Sequence, residues 1–147
     1  MSDKSEAILA YWTEQRTQLR QSESQRSSMT NYVLVIAAGL SGLIAQQKYA
    51  TTTIPLAALI VVVGLYGAIT AAKFHERANY HLSQARALTK DLKDEGALPA
   101  TTATPAYRVD HYAKYPRLSR LRLHWLWTGL HLAVAAYGCA LVVIASV

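Results

Sequence analysis

The chain has 147 residues, 52% of them hydrophobic, with Lys+Arg 15 against Asp+Glu 9 and a formal net charge of +6. That length suits one domain, but the charges are clustered. This argues against a soluble helical bundle, whose helices keep a polar stripe for solvent. The positive balance is that of a small membrane protein facing an anionic inner leaflet, so nucleic-acid binding is not implied.

In chain order, the first segment, 1–28, is polar and holds four basic residues, Lys4, Arg16, Arg20 and Arg26. Residues 5–38 contain neither Gly nor Pro, and Ile8, Trp12, Gln15, Leu19 and Ser22 fall on one helical face. A cytoplasmic helix continuous with a first membrane span, 29–47, is therefore expected. A signal peptide is not expected, because the first apolar run follows a long polar stretch rather than a short basic leader.

Three stretches, Ser27–Gln47, Tyr49–Ala72 and His124–Val147, carry no Asp, Glu, Lys or Arg and are 21, 24 and 24 residues long. About 20 apolar residues at ~1.5 Å rise cross a ~30 Å hydrocarbon core. Three transmembrane helices follow. Residues 48–53 form a short outer turn with one basic residue, Lys48, and the second span is 54–72, with Pro55 where a helix start tolerates it.

The second span is expected to continue as a cytoplasmic helix over 73–95. There Phe74, Ala78, His81, Ala85, Leu88 and Leu92 alternate spacings of four and three, as in a coiled-coil seam that needs a partner helix. With the turn at 48–53, the two long helices would pair as an antiparallel hairpin. Facing residue numbers would then total about 101, bringing Glu23 to Arg77, Arg26 to Glu76, Glu14 to Arg86 and Glu6 to Lys93. Such surface pairs contribute only about 0–1 kcal/mol each.

Gly96, Pro99 and Pro105 end this helix, and 96–117 reads as a connector at the inner interface, its Tyr and basic residues suited to the headgroup region. A basic lead-in and third span occupy 118–147, with Trp125 and Trp127 marking the inner boundary. The fold class is thus all-α: an integral membrane protein with three spans, the first two extended into a cytoplasmic antiparallel hairpin. Fourteen basic residues lie on one side and one on the other, so the amino terminus is placed inside and the carboxyl terminus outside.

Small residues recur at four-residue spacing in three candidate packing pairs: Ala38 with Gly42, Gly64 with Ala68, and Gly129 with Ala133. They point to close helix contact, within one protomer or in a homo-oligomer. No span holds an ionisable carboxylate or amine, which argues against a pump or ion-coupled transporter. His131 is the one gating candidate, and a pore would be lined by small and apolar groups that gate by dewetting. Cys139, in the third span, reads as a small hydrophobe.

Outside the spans, His75, Arg77, His81 and Arg86, with Arg16 and Arg20, form the candidate ligand or partner contact, either an anion site or a hydrogen-bonded seam. His75 and His81 do not share a helical face as a metal pair would. No catalytic arrangement, metal site or cofactor is expected, and the chain does not read as an enzyme.

The helix with Tyr11-Trp12…Arg16, the tight pair of spans, and Lys73-Phe-His-Glu-Arg-Ala-Asn-Tyr-His on the return helix resemble small bacterial two-transmembrane effectors of the SLATT type, over about residues 8–95. The third span departs from that two-span pattern. The resemblance implies a membrane-disrupting or pore-forming effector of anti-phage conflict, controlled by a soluble sensor or a nucleotide signal. The expected function is therefore a self-associating effector of the bacterial inner membrane. The alternatives are an anchor or accessory subunit for a soluble partner, and a holin-like protein.

Overall fold

In a computed structural model, residues 3–99 and 104–147 are described, and no strand occurs among them. Helix α1 spans Asp3–Gln46, α2 Ile54–Asp94, α3 Thr104–Lys114 and α4 Leu123–Ser146, with short 3-10 turns at Thr51–Thr53 and Leu118–Arg120. Three of these, α1, α2 and α4, are long and apolar enough to cross a membrane.

The uninterrupted α1 follows from the absence of breakers and from Asp3 and Glu6 in its first turn, where the helix dipole favours acid. It ends in a backbone reversal. Lys48 and Tyr49 take left-handed φ values of 52° and 57°, and the Tyr49 amide reaches back to the Ile44 carbonyl at 3.1 Å. Pro55 is the second residue of α2, where its missing amide costs nothing. At the far end Gly96, at φ 71°, lets the Ala97 amide close on the Leu92 carbonyl at 3.0 Å. Glycine reaches that conformation at no steric cost.

The chain divides into two compact units, one of Met1–Ser22 with Glu76–Arg122 and one of Glu23–His75 with Leu123–Val147. In the second, the core comprises Val33, Ala37, Ile44, Ala57, Ile60, Val134 and Leu141, drawn from all three long helices. The Ser41 hydroxyl in this apolar unit is satisfied within its own helix, donating to the Ala37 carbonyl at 2.6 Å.

Of the six positions spaced along α2 by four and three, the five in the first unit, Ala78, His81, Ala85, Leu88 and Leu92, are buried or half-buried, and so are Ile8, Trp12, Gln15, Leu19 and Ser22 of α1, while Phe74, in the second unit, is half-buried. Trp12 donates from Nε1 to Thr89 Oγ1 at 3.0 Å. Further side-chain pairings lie within this unit. Arg77 bonds to Gln18 at 3.4 Å, Glu14 accepts from Gln18 at 2.7 Å, and Lys4 pairs with Glu95 at 2.5 Å. On α1 in this unit, Gln15 and Gln18 are half-buried, while Glu6 and Glu14 are exposed. The Glu95 carboxylate, first by hydrogen bond and then by charge, raises Lys4 above its ordinary value.

The 96–117 connector holds a helix that the sequence reading did not assign. Pro105, taken there as a terminator, is the second residue of α3, the position at which proline starts helices.

Candidate functional site

Within the apolar unit, α1 and α4 are joined by two polar rungs one helical turn apart. In the first, the Arg26 guanidinium lies over the Trp127 ring, 5.1 Å from its centroid. In the second, Thr30 Oγ1 and His131 Nε2 are 3.1 Å apart, and His131 is 0% exposed.

The hydrogen-bond roles in that second rung follow from local geometry. Thr30 already donates its hydroxyl hydrogen to the Arg26 carbonyl at 2.9 Å, so it presents only lone pairs to the ring. His131 must therefore donate from Nε2, which leaves Nδ1 as an acceptor. That nitrogen, Arg26 Nε and Trp127 Nε1 are buried without a hydrogen-bond partner. A buried donor or acceptor left unmade costs about 1–3 kcal/mol, so this seam is the strained part of the unit.

Glycines of α2 and α4 make the close approach feasible. A Cβ on Gly67 would fall on the His131 ring, 2.8 Å from Cε1 and 2.9 Å from Cγ. At Gly64 it would meet the Ala135 backbone nitrogen at 2.6 Å, and at Gly138 the Val61 nitrogen at 2.8 Å. Thr30, Gly67 and His131 thus mark the point where all three helices of the unit touch. In the same unit, the His75 and His124 rings stack at 4.0 Å with planes 10° apart.

The three sequence-nominated packing pairs do not behave alike. Gly64 and Ala68 are both buried, Ala68 at 7% exposure, so this pair is used within the chain and is not left free for a second copy. Ala38, Gly42, Gly129 and Ala133 are exposed, and Gly42 and Gly129 have open space where a side chain would grow. Of the two settings expected for these pairs, contact within one protomer is not the one these four residues show, because the rotation of α1 and α4 turns them away from the unit's core.

The nominated polar residues are handled separately from one another. His81 donates from Nδ1 to the Gln15 amide oxygen at 2.7 Å, and Arg77 reaches Gln18. Arg16 lies over Trp12 at 5.7 Å, Arg20 bonds Thr17 at 3.4 Å, and Arg86 is exposed. His75 belongs to the other unit. Among the described residues no group of three or more His, Cys, Asp or Glu could hold a metal.

Arg26, Thr30, Gly67, Trp127 and Gly138 escaped the sequence reading as site residues. The available signal was that Arg26 and Thr30 are four residues apart, as are Trp127 and His131, so the two pairs can face each other rung by rung. Against known proteins, no family model, curated protein or solved structure matches this chain.

Proposed function

We propose that the chain is a non-enzymatic effector of the bacterial inner membrane that self-associates and opens or perturbs the bilayer. The observation that carries this reading is the combination of three helices of spanning length and apolarity with small residues left facing outward at Ala38, Gly42, Gly129 and Ala133. In lipid, surfaces of that kind allow helices of separate copies to approach closely.

An antiparallel cytoplasmic hairpin, serving as the regulatory or partner-binding element, is supported by the pairings Lys4–Glu95, Trp12–Thr89, Gln15–His81 and Gln18–Arg77, in which α2 numbers fall as α1 numbers rise. His131, at the meeting point of three helices, is the element on which gating would turn. The SLATT resemblance supplies the anti-phage setting and a soluble sensor as partner.

Induced expression in bacteria, at verified membrane levels and with phage infection as trigger, should depolarise the cells and admit a membrane-impermeant dye. Cross-linking should trap homo-oligomers. An unchanged potential would sink the effector reading, and a one-to-one complex with a larger soluble protein, without homo-oligomers, would point to the anchor.

Orientation is checked separately. A fluorescent protein fused before Met1 should fold and fluoresce, and alkaline phosphatase fused after Val147 should be active. The reverse pattern would invert the topology.

A further inference from the structure

Just ahead of the third spanning helix in chain order lies a surface whose chemistry fits an anionic phospholipid. In the first unit, His111, Tyr112, Tyr115 and Leu118 line a shallow groove of about 330 Å³ at the end of α3. Its walls are rings and aliphatic carbon. The His111 ring lies against both tyrosines, at 5.6 and 5.2 Å, which holds the groove in shape. Tyr112, Tyr115 and Leu118 are all exposed, as are Val109 and Leu121 on either side.

The flanks are cationic. Arg108 lies over the Tyr112 ring at 5.7 Å, and Lys114, Arg117, Arg120 and Arg122 are exposed. Against these five cations the stretch 104–122 offers one carboxylate, Asp110. In chain order Arg122 is followed at once by α4, so the stretch leads directly into a helix of spanning length.

An apolar groove in a stretch this rich in exposed cations has little reason to stay open to water. Exposed aromatic and aliphatic side chains at this density mark a binding surface, and aromatic rings beside long cations are what a headgroup layer accommodates. We propose that this groove binds an anionic phospholipid, with its phosphate held by Arg108 and Arg117 and its glycerol and upper acyl carbons seated against Tyr112, Tyr115 and Leu118. The site rests on the reading that α4 spans a bilayer, and it adds a lipid class to that reading. Its consequence is that activity would depend on the charge of the inner leaflet.

The test uses the full chain purified in mild detergent, with native mass spectrometry to count retained lipid. Phosphatidylglycerol should be retained at least about tenfold over phosphatidylcholine, since each cation near an anionic surface contributes ~1 kcal/mol and 1.4 kcal/mol is tenfold. The double substitution Arg108→Gln with Arg117→Gln should remove most of that preference, and Arg108→Lys with Arg117→Lys should keep it. Leu118→Gln should weaken retention of both lipids.

Equal retention of the two lipids by the unaltered chain would overturn the proposal. So would an unchanged preference in the double variant, or loss of lipid to inorganic phosphate, which would mark a site for the free anion. Failure of the spanning reading shows independently: the protein would then be extracted from membranes by alkaline carbonate.

Discussion

Alanine at Gly64 is expected to destabilise the apolar unit by about 2–3 kcal/mol, whereas alanine at Gly42 or Gly129 should cost nothing. Helix propensity alone favours all three changes, by ~1 kcal/mol each. At Gly42 and Gly129 there is open space for the new methyl, so that gain stands. At Gly64 the methyl would sit 2.6 Å from the Ala135 nitrogen and 2.9 Å from its Cα. Backbone cannot rotate aside as a side chain can, so α2 and α4 must separate. Overpacking of this kind costs ~1–3 kcal/mol or more, and the surrounding contacts are lost with it.

Gly67→Ala should fall between these cases, because what it meets is an imidazole that can shift slightly. Combining it with His131→Ala should cost less than the two single changes added together, since the second removes the group the first collides with. A coupling of ~0.5–3 kcal/mol is the range for residues in contact. Thermal melting of the full chain, solubilised in detergent as a monomer, measures all of these. A loss at Gly42 as large as that at Gly64 would refute the assignment of inward and outward glycines.

Much of this arrangement was legible in the residues. Freedom from charge located the three apolar helices, because a long run without a polar stripe has few other settings. The four-and-three spacing from Phe74 to Leu92 identified the buried face of the polar half of α2, since helical periodicity alone fixes which side chains share a side. Gly96 announced the end of that helix. Helix α3 was hidden because Pro105 is ambiguous in sequence: the same residue terminates one helix or begins another, and its neighbours decide. The paired rungs were hidden for a different reason. His131 was visible as a polar residue in an apolar run, but its partner depends on the rotation of two helices about their axes. A single hydroxyl at Thr30 carries no periodic signal of that rotation. Spacing is equally silent on which small residues face inward. Gly64 and Ala68 do, whereas Ala38, Gly42, Gly129 and Ala133 do not, although all three pairs share one spacing.

The rung itself leads to the second large effect, in which removing the hydroxyl of Thr30 should cost more than removing the whole imidazole of His131. Thr30→Val keeps the shape but leaves His131 Nε2–H buried with no acceptor, beside an Nδ1 that already lacks a partner. Such an orphan costs about 1–3 kcal/mol in a soluble interior, and interhelical bonds in bilayers average about 0.6 with a maximum near 1.7. A loss of ~1–2 kcal/mol is therefore expected.

His131→Leu has a different balance. Thr30 keeps its bond to the Arg26 carbonyl, so no new orphan arises on α1, and the unpaired Nδ1 disappears along with the ring. Leucine is close enough in volume to fill most of the space beside Gly67, and volume-conserving exchanges usually cost below ~1.5 kcal/mol. The expected order is Thr30→Val below His131→Leu in melting temperature, with the double substitution recovering to the level of His131→Leu. The opposite order would mean that the histidine is held by something other than the threonine hydroxyl. If His131→Leu keeps its stability but no longer depolarises cells under the conditions that activate the unaltered chain, the imidazole serves opening rather than folding. That separation of stability from activity distinguishes a gate from a packing residue.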